Sequence, residues 1–355
     1  MMKKLLLAMV AIAFFACKEE KKSPELTAMQ GNAFGTTYSI QYFTDTKMDL
    51  EKGIDSVIHA VNKSVSTYMP NSDISKINQG DSTVVVDAIF KKVFKLSGWM
   101  HRDSEGYFDP TIGVLRNAYG FGDEKPLKKI DSLTLDSLMN YVGFEKVELT
   151  KAGTIRKANP NIYFDFNAIA KGYGIDLLGE YLESQGISNY LIELGGELRA
   201  KGSHIEKEQP WIAGIESVDS HLEHRSYDKK IYLKDMSMAS SGNYRKFRID
   251  SATGKKYVHT INPLTGKAEQ LSITSATVIA PTCAEADAYA TAFMAMGLSN
   301  AKRLVKESVD IEAYFTYINP RGEAQSFMSG GFFGLVVKEE GSEPKQNHDH
   351  HGHQH

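Results

Sequence analysis

The stretch Ile162–Gly196, IYFDFNAIAKGYGIDLLGEYLESQGISNYLIELGG, decides the fold class of this chain. Its apolar start, Ile162–Phe164, predicts a short buried strand, and the segment after it predicts a helix that continues to about Gln185. Tyr190–Leu194 predicts a second strand, which ends in a turn at Gly195-Gly196. No G-x-G-x-x-G pattern opens the helix, so the sequence does not support a Rossmann dinucleotide site.

The flanking sequence continues this mixture of elements. Upstream, apolar spacing predicts a strand at Thr36–Phe43 and helices at Leu50–Val65, Ile89–Ser97 and Ser132–Tyr141. Downstream, it predicts a hairpin of Arg245–Ile249 with Lys256–Ile261, a strand at Ser272–Ile279, a helix at Ala284–Met296, and closing strands at Ile311–Tyr317 and Phe332–Val337. Helices mixed with antiparallel strands favour an α+β fold over a doubly wound parallel sheet.

The N-terminus has the features of a bacterial lipoprotein signal peptide. Lys3 and Lys4 precede an apolar run that ends at Ala16 and is too short to span a bilayer. Ala16-Cys17 is the small-residue–cysteine junction at which lipoproteins are cleaved. We expect residues 1–16 to be removed and a lipidated Cys17 to hold the protein on an extracytoplasmic membrane surface. An ordinary secretory signal with a chance cysteine is the alternative.

Composition divides the rest of the chain into three parts. We expect a polar tether at residues 17–28, one catalytic domain at 29–338, and a disordered tail at 339–355. The tail holds five of the eleven histidines and either binds transition metals weakly or has no role. The formal charge of −3 gives no electrostatic reason to expect nucleic-acid binding.

Asp287 and Thr291 are the strongest local sign of a metal site. On the predicted helix they are four residues apart, so the carboxylate and the hydroxyl project from one face. Hard oxygen ligands of this kind suit Mg²⁺, which takes few protein ligands and completes its shell with water and substrate phosphates. Acidic residues that merely favour the helix N-terminus are the alternative.

The segment Asp165–Gly174 predicts a phosphate site at the start of a helix. Unpaired N–H groups there attract anions, and Lys171, about two turns in, adds a positive charge. Gly172 and Gly174 allow close approach, and a free carbonyl in the turn can complete a metal shell. A capping aspartate before an ordinary helix is the alternative.

His259 is the candidate general base, because histidine accepts protons near neutral pH. It ends a predicted strand just before the turn at Asn262–Gly266. A purely structural histidine is the alternative.

Tyr68 and the loop Gly106–Gly113 contribute flat rings that could enclose a flavin or adenine, although such aromatics also form small satellite cores.

Together these segments resemble the ApbE family of FAD:protein FMN transferases. The resemblance runs in order through eight motifs as far as Gly297: Gly31–Tyr38, Tyr68–Asn78, Phe108–Pro110, Asp165–Gly174, Glu193–Glu197, Ser240–Tyr244, His259–Gly266 and Ala286–Thr291. It implies an α+β flavin-transferase fold of two closely joined halves with FAD between them. It also implies transfer of FMN from FAD to a threonine hydroxyl of an acceptor flavoprotein, with release of AMP.

The resemblance also assigns residues. The positions that fall where the family contacts FAD are Phe34, Tyr68, Tyr107, Phe108, Asp109, Asp165, Lys171 and Ile261. The positions that fall where it binds Mg²⁺ are Ala168 (through its carbonyl), Asp287 and Thr291, and His259 matches the histidine proposed as base. Phe34 departs from the methionine of many members, which affects how the flavin packs. The implied acceptor is a membrane respiratory flavoprotein.

Two other functions fit the same residues. A metal-dependent FAD pyrophosphatase would use water as the nucleophile and yield FMN and AMP. A non-catalytic FAD-binding lipoprotein would store or deliver flavin, although storage alone does not need the metal ligands. The sequence does not choose between transferase and hydrolase, because the acceptor lies on another chain.

Cys17→Ser should abolish lipid attachment and leave the flavin chemistry of the domain intact, because the polar tether separates the anchor from the fold. Mass spectrometry of the membrane-extracted protein measures the acyl chains. A Cys17→Ser protein that still carries them would rule out the anchor assignment.

Overall fold

The computed structural model describes residues 23–217, 226–243, 247–249, 254 and 256–338. The described residues form fourteen strands: β1 (Glu25–Ala33), β2 (Thr36–Thr44), β3 (Val147–Leu149), β4 (Ile155–Lys157), β5 (Tyr190–Leu194), β6 (Glu197–Lys201), β7 (Trp211–Glu216), β8 (Tyr227–Leu233), β9 (Ser237–Gly242), β10 (Phe247–Ile249), β11 (Lys256–Val258), β12 (Ile273–Ala280), β13 (Glu312–Ile318) and β14 (Ala324–Met328). Eight of these strands make one antiparallel sheet in the order β1-β2-β5-β6-β9-β12-β13-β14.

The same residues form nine α-helices: α1 (Glu51–Val65), α2 (Asp73–Asn78), α3 (Ala88–Asp103), α4 (Gly113–Tyr119), α5 (Ser132–Met139), α6 (Ala170–Ser184), α7 (Cys283–Met296), α8 (Leu298–Glu307) and α9 (Gly330–Leu335). Several of these helices begin at a capping residue, whose side chain accepts a hydrogen bond from a backbone N–H group that the helix leaves unpaired. Ser72, Asp87 and Asp131 cap α2, α3 and α5 in this way. Thr282 and Glu285 form a capping box at the start of α7. No helix in the described ranges combines the length and the apolar character needed to cross a membrane.

The sheet separates two layers. Helix α7 is buried along almost its whole length and packs on β9 and β12, with α6 beside it. Helices α1 and α6 cover β2 and β5 on the same face through Ile54, Leu178 and Ile192. The other face packs against the β7–β8 ribbon and α9 through residues such as Trp211 and Phe332. Helix α7 is therefore the central helix of the fold, and the side chains near its N-terminus are shielded from water.

The α+β class predicted from the sequence is confirmed. The structure has the strand at Tyr190–Leu194, the turn after it and the helix that ends at Ser184. The hairpin forms as β10 with β11, although Arg245, Lys246 and the tip at 251–253 lie outside the described residues. The N-terminal segment 1–16, Cys17 and the tail 339–355 lie outside them as well.

Three details of the prediction differ from the structure. Ile162 and Phe164 are buried, but Ile162–Phe164 forms no strand, since only Tyr163 makes an isolated bridge, to Ile112. Phe332–Val337 is not a closing strand, because Gly330–Leu335 is helix α9 and only Val336 makes an isolated bridge, to Ile231 of the β7–β8 ribbon. The polar segment assigned to the tether extends to residue 28, whereas β1 already starts at Glu25 and pairs with β2.

Asp176 of α6 ties three elements together. Its two carboxylate oxygens accept the first N–H groups of α7, from Cys283 and Ala284, each at 2.9 Å. Arg199 of β6 donates to the same carboxylate at 2.8 Å, and its Nε donates to the Tyr190 hydroxyl at 3.0 Å. Burial raises the pKa of the Asp176 carboxyl, while these donors oppose the rise. The network fixes the start of α7 relative to α6 and the sheet.

Asp176→Ala should lower the free energy of unfolding by about 3 kcal/mol, because Arg199 NH1 and two helix N–H groups lose their acceptor in a buried site. Urea unfolding followed by circular dichroism measures the change. Asp136→Ala, on the exposed face of α5, is the matched control and should change stability little. Equal stability of the two variants would contradict the role of Asp176.

Candidate active site

A cleft of about 310 Å³ lies beside the N-terminal halves of α6 and α7. Its walls come from the loop before α4, the segment before α6, the ends of β6 and β9, and the loop after β11. The cleft collects ten of the twelve site residues predicted from the sequence: Tyr107, Phe108, Asp109, Asp165, Ala168, Lys171, His259, Ile261, Asp287 and Thr291. Positions separated by more than 180 residues in the chain thus meet in one place.

The other two predicted residues, Phe34 and Tyr68, line an adjoining cleft of about 520 Å³. Phe34 lies in the two-residue turn between β1 and β2 with φ at +50°, a conformation that non-glycine residues rarely adopt. Its ring occupies space that Gly174 leaves open, since a Cβ there would lie 2.6 Å from the ring. The Tyr68 side chain is 66% exposed, so a flat ring faces solvent at the mouth of this cleft.

Lys171, Glu197 and Asp287 form the charged centre of the first cleft. Helix α6 begins at Ala170, so Lys171 lies in its first turn rather than two turns into it. The Lys171 Nζ is 2.7 Å from the Glu197 Oε1 of β6. Asp287 Oδ2 accepts the N–H of Gly172 at 3.2 Å. One lysine therefore lies among two buried carboxylates.

Burial determines the electrostatics of this group. It raises the pKa of Asp287 well above its usual value, and the neighbouring Glu197 carboxylate adds to the rise. Burial also raises the pKa of Glu197, which Lys171 opposes. Burial alone would lower the pKa of Lys171, but Glu197 and Asp287 more than reverse that effect and raise it. Glu197 Oε2 has no hydrogen-bond partner among the described residues. The centre thus holds two buried carboxyl groups for one lysine.

The predicted metal ligands lie on the walls of the same cleft. Thr291 is one turn beyond Asp287 on α7, and its hydroxyl is 3.3 Å from that of Ser241 on β9. Ala168 borders the cleft just before α6. Within the described ranges, no group of three or more His, Cys, Asp or Glu side chains is arranged to hold a metal ion. The available donors are a carboxylate, hydroxyls and a backbone carbonyl, a hard-oxygen set suited to Mg²⁺.

His259 directly follows β11 and is half-buried in the wall of the cleft. The turn beyond it is fixed by Asn262. The Asn262 side chain accepts the N–H of Leu264 at 2.9 Å and donates to the Ala295 carbonyl of α7 at 3.2 Å. The turn predicted at this position therefore anchors the strand end to the helix that carries Asp287.

Two predicted FAD contacts also have partners within the protein. Asp109 accepts from the Thr111 hydroxyl at 2.6 Å and from the Phe144 N–H at 3.0 Å, so it shapes its own loop. Asp165 accepts the Asn167 N–H at 2.8 Å and pairs with Arg116 NH1 at 2.6 Å. Both carboxylates border the cleft, and their contact with FAD stays a prediction.

The sequence analysis missed several residues of the site. Glu197 and Ser241 lie in motifs that carry the resemblance but were given no role. Arg116 lies outside every motif and lines both clefts. Its ion pair with Asp165 joins residues far apart in sequence, so no local pattern indicates it.

Comparison with known proteins agrees with this architecture. A sequence model described as the ApbE family matches residues 34–315. The chain belongs to the ApbE family. A Haemophilus influenzae protein named FAD:protein FMN transferase is 35% identical over 323 residues, which cover 86% of this chain and 91% of the relative. A Vibrio cholerae protein of the same name is 34% identical and covers 83% and 88%.

Solved ApbE structures have the same fold. The flavin transferase ApbE from Vibrio cholerae matches with a TM-score of 0.77 and 31% identity, over 88% of this chain and 99% of that one. The apo flavinyl transferase ApbE from Pseudomonas stutzeri matches with a TM-score of 0.76 and 25% identity, over 88% and 97%. The ApbE family match begins at Phe34 and ends within β13, so it includes all twelve residues predicted to form the site.

Proposed function

We propose that this ApbE-family chain transfers FMN from FAD to a hydroxyl of an acceptor protein. The observation that carries the proposal is the convergence of Lys171, Asp287 and His259 on one cleft with aromatic walls. Its relatives named FAD:protein FMN transferase align over most of both chains, which supports the same reaction here. A cleft of this kind offers ring surfaces for the substrate and charged groups for its phosphates.

The step is an in-line phosphoryl transfer. A threonine hydroxyl of the acceptor attacks the FMN-side phosphorus of FAD, the bond from that phosphorus to the AMP-side oxygen breaks, and AMP leaves. His259 takes the proton of the attacking hydroxyl. Lys171, held by Glu197, places a positive charge beside the diphosphate. The N–H groups predicted to bind phosphate at the start of α6 are mostly paired within the protein, since Ala170 donates to Phe166, Gly172 to Asp287 and Tyr173 to Ile169. The product is a phosphoester between FMN and the acceptor.

Mg²⁺ fits the residues present. Glu197 Oε2 is buried and has no hydrogen-bond partner in the part of the chain that the structure describes, and the buried carboxyl group of Asp287 lies beside it with a single lysine for the two. A cation bound there would stabilise the ionised forms of both carboxyl groups. Asp287, Thr291 and the Ala168 carbonyl would hold the ion. When bound, it would neutralise negative charge on the diphosphate. The protein side of this arrangement is a rigid one, because α7 fixes Asp287 and Thr291 one turn apart.

The proposal extends to the location of the enzyme. Lipidation of Cys17 would place the domain on an extracytoplasmic membrane surface, where a membrane respiratory flavoprotein could act as acceptor. The signal-like residues 1–16 and the polar segment that follows support this location.

Transfer can be tested directly. The soluble domain is incubated with FAD, Mg²⁺ and a candidate acceptor, and flavin fluorescence that survives denaturing electrophoresis marks the covalent product. Release of AMP is measured in parallel. AMP and free FMN without a fluorescent acceptor would show that the chain is a pyrophosphatase.

Asp287→Ala should reduce transfer roughly a hundredfold or more, the scale expected when a preorganised charge stabiliser is lost. It should also remove most of the dependence on Mg²⁺. Thr291→Ala should reduce transfer less, because water can replace a neutral hydroxyl ligand. The measurement is single-turnover transfer against Mg²⁺ concentration, with exposed Asp310→Ala as the control. Full Mg²⁺-dependent activity of Asp287→Ala would contradict the assignment.

His259→Ala should slow transfer by roughly a hundred- to ten-thousandfold, as expected for loss of a general base. FAD affinity should stay nearly unchanged. The wild-type rate should fall at acidic pH, where a histidine base is protonated, and the variant should lose that limb of the profile. Single-turnover rates against pH and FAD binding by fluorescence test both points.

Exposed His59 of α1 provides the matched control, since His59→Ala removes a histidine that lines neither of the two clefts. A His259→Ala protein that fails mainly through lost FAD affinity would make this residue a binding or structural one. The base would then be sought at Asp165 or Asp109.

A further inference from the structure

Arg116 of α4 lies where the two clefts meet. It is one of three residues that line both, together with Asn167 and Lys171. We propose that Arg116 is a substrate-binding residue that donates to the diphosphate of FAD at this junction. The inference rests on the proposed function and adds a binding residue to it.

The guanidinium is held in place by two contacts within the protein. NH1 lies 2.6 Å from Asp165 Oδ2, and NH2 donates to the Phe121 carbonyl at 2.8 Å. The side chain is 17% exposed, so its position is set largely by the protein. A guanidinium held in this way is a preorganised fork that loses little conformational entropy when a ligand binds.

Arg116 has donors left over. A guanidinium carries five N–H groups, and the two contacts above use one on each terminal nitrogen. Nε is buried and has no partner among the described residues. The second N–H groups of NH1 and NH2 are therefore the donors left for a ligand, and a ligand rich in acceptor oxygens would be favoured beside them.

The surroundings indicate which ligand supplies those oxygens. Tyr107 and Phe108 line one cleft and Phe34 and Tyr68 line the other, so ring surfaces lie on both sides of the junction. In a dinucleotide, a diphosphate joins two ring systems. Arginine matches phosphate with parallel N–H groups, which makes it a selective partner for such a linker.

The other explanation is that Arg116 only orients Asp165. In that case its removal would act through the aspartate, and the ligand's phosphates would not matter. The two explanations predict different responses to ligands that differ in phosphate content, and different results when both residues are changed.

The experiment measures binding of FAD, ADP and riboflavin by calorimetry to wild type, Arg116→Gln, Arg116→Lys, Asp165→Asn and the double variant Arg116→Gln/Asp165→Asn. Arg156→Gln is the matched control, since Arg156 pairs with Glu148 on the surface. Arg116→Gln should weaken FAD and ADP about tenfold or more, the scale of a charge-assisted hydrogen bond. Riboflavin, which has no phosphate, should change less than about twofold, and Arg116→Lys should be intermediate.

Equal losses for all three ligands would overturn the proposal. It would also fall if Asp165→Asn reproduced the loss and the double variant were no weaker. If Arg116→Gln unfolds, Arg116→Lys decides the matter: inorganic pyrophosphate should compete with FAD less well in it than in wild type, and equal competition would contradict the role. Failure of wild type to bind FAD would instead contradict the proposed function.

Discussion

The close packing of α6 on α7 at Gly172 is the constraint on which the site depends. A Cβ at this position would lie 2.3 Å from the backbone carbonyl oxygen of Cys283, so only glycine allows the two helices to approach this far. The approach brings the Gly172 N–H to Asp287, and it places Lys171 beside the same carboxylate. One turn further along α6, Asp176 accepts the first N–H groups of α7 and locks the arrangement. A single helix thus supplies both the support and the charge.

This arrangement is costly for the folded protein. Glu197 and Asp287 are both buried, and a carboxylate loses its hydration when it leaves water. The ion pair with Lys171 compensates this loss for only one of the two groups. The apolar packing around α7, with Phe293 and Phe315 fully buried, supplies the stability that offsets this cost. Sequences break the rules of core composition where function requires it. A bound cation would be held by the oxygens of these buried carboxyl groups, and the phosphates of a substrate would then meet the cation and Lys171.

The sequence predicts this structure best where local chemistry and apolar spacing agree. The predicted helix at Ala284–Met296 matches α7 because most of its residues are apolar and a capping box fixes its start. The predicted strand at Tyr190–Leu194 matches β5 because a short apolar run ends at two glycines. Phe332–Val337 was misassigned because a short apolar run fits a strand and a helix equally, and tertiary contacts of Phe332 decide between them. Strand β1 was not predicted because five of its nine residues are exposed and these include the apolar Leu26 and Ala28, so no clear apolar alternation marks it. In the site, Asp287 and Thr291 can be recognised from the sequence because they lie four residues apart on one predicted helix. The Arg116–Asp165 ion pair joins residues far apart in sequence and can be seen only in the folded structure.

The hydroxyl groups of the cleft are compatible with the proposal that a partner supplies the nucleophile. Ser240 bonds to Thr277 at 2.8 Å, and Thr260 donates to the buried side chain of Asn243 at 3.0 Å. Thr291 and Ser241 face each other beside Asp287, where they suit a metal site. These hydroxyls are therefore committed to the fold or to the ligand set. His259 is half-buried in the wall of the cleft, and Asn262, three residues further on, anchors the following turn to α7. In the proposed mechanism the hydroxyl of the acceptor must therefore enter the cleft to reach the imidazole.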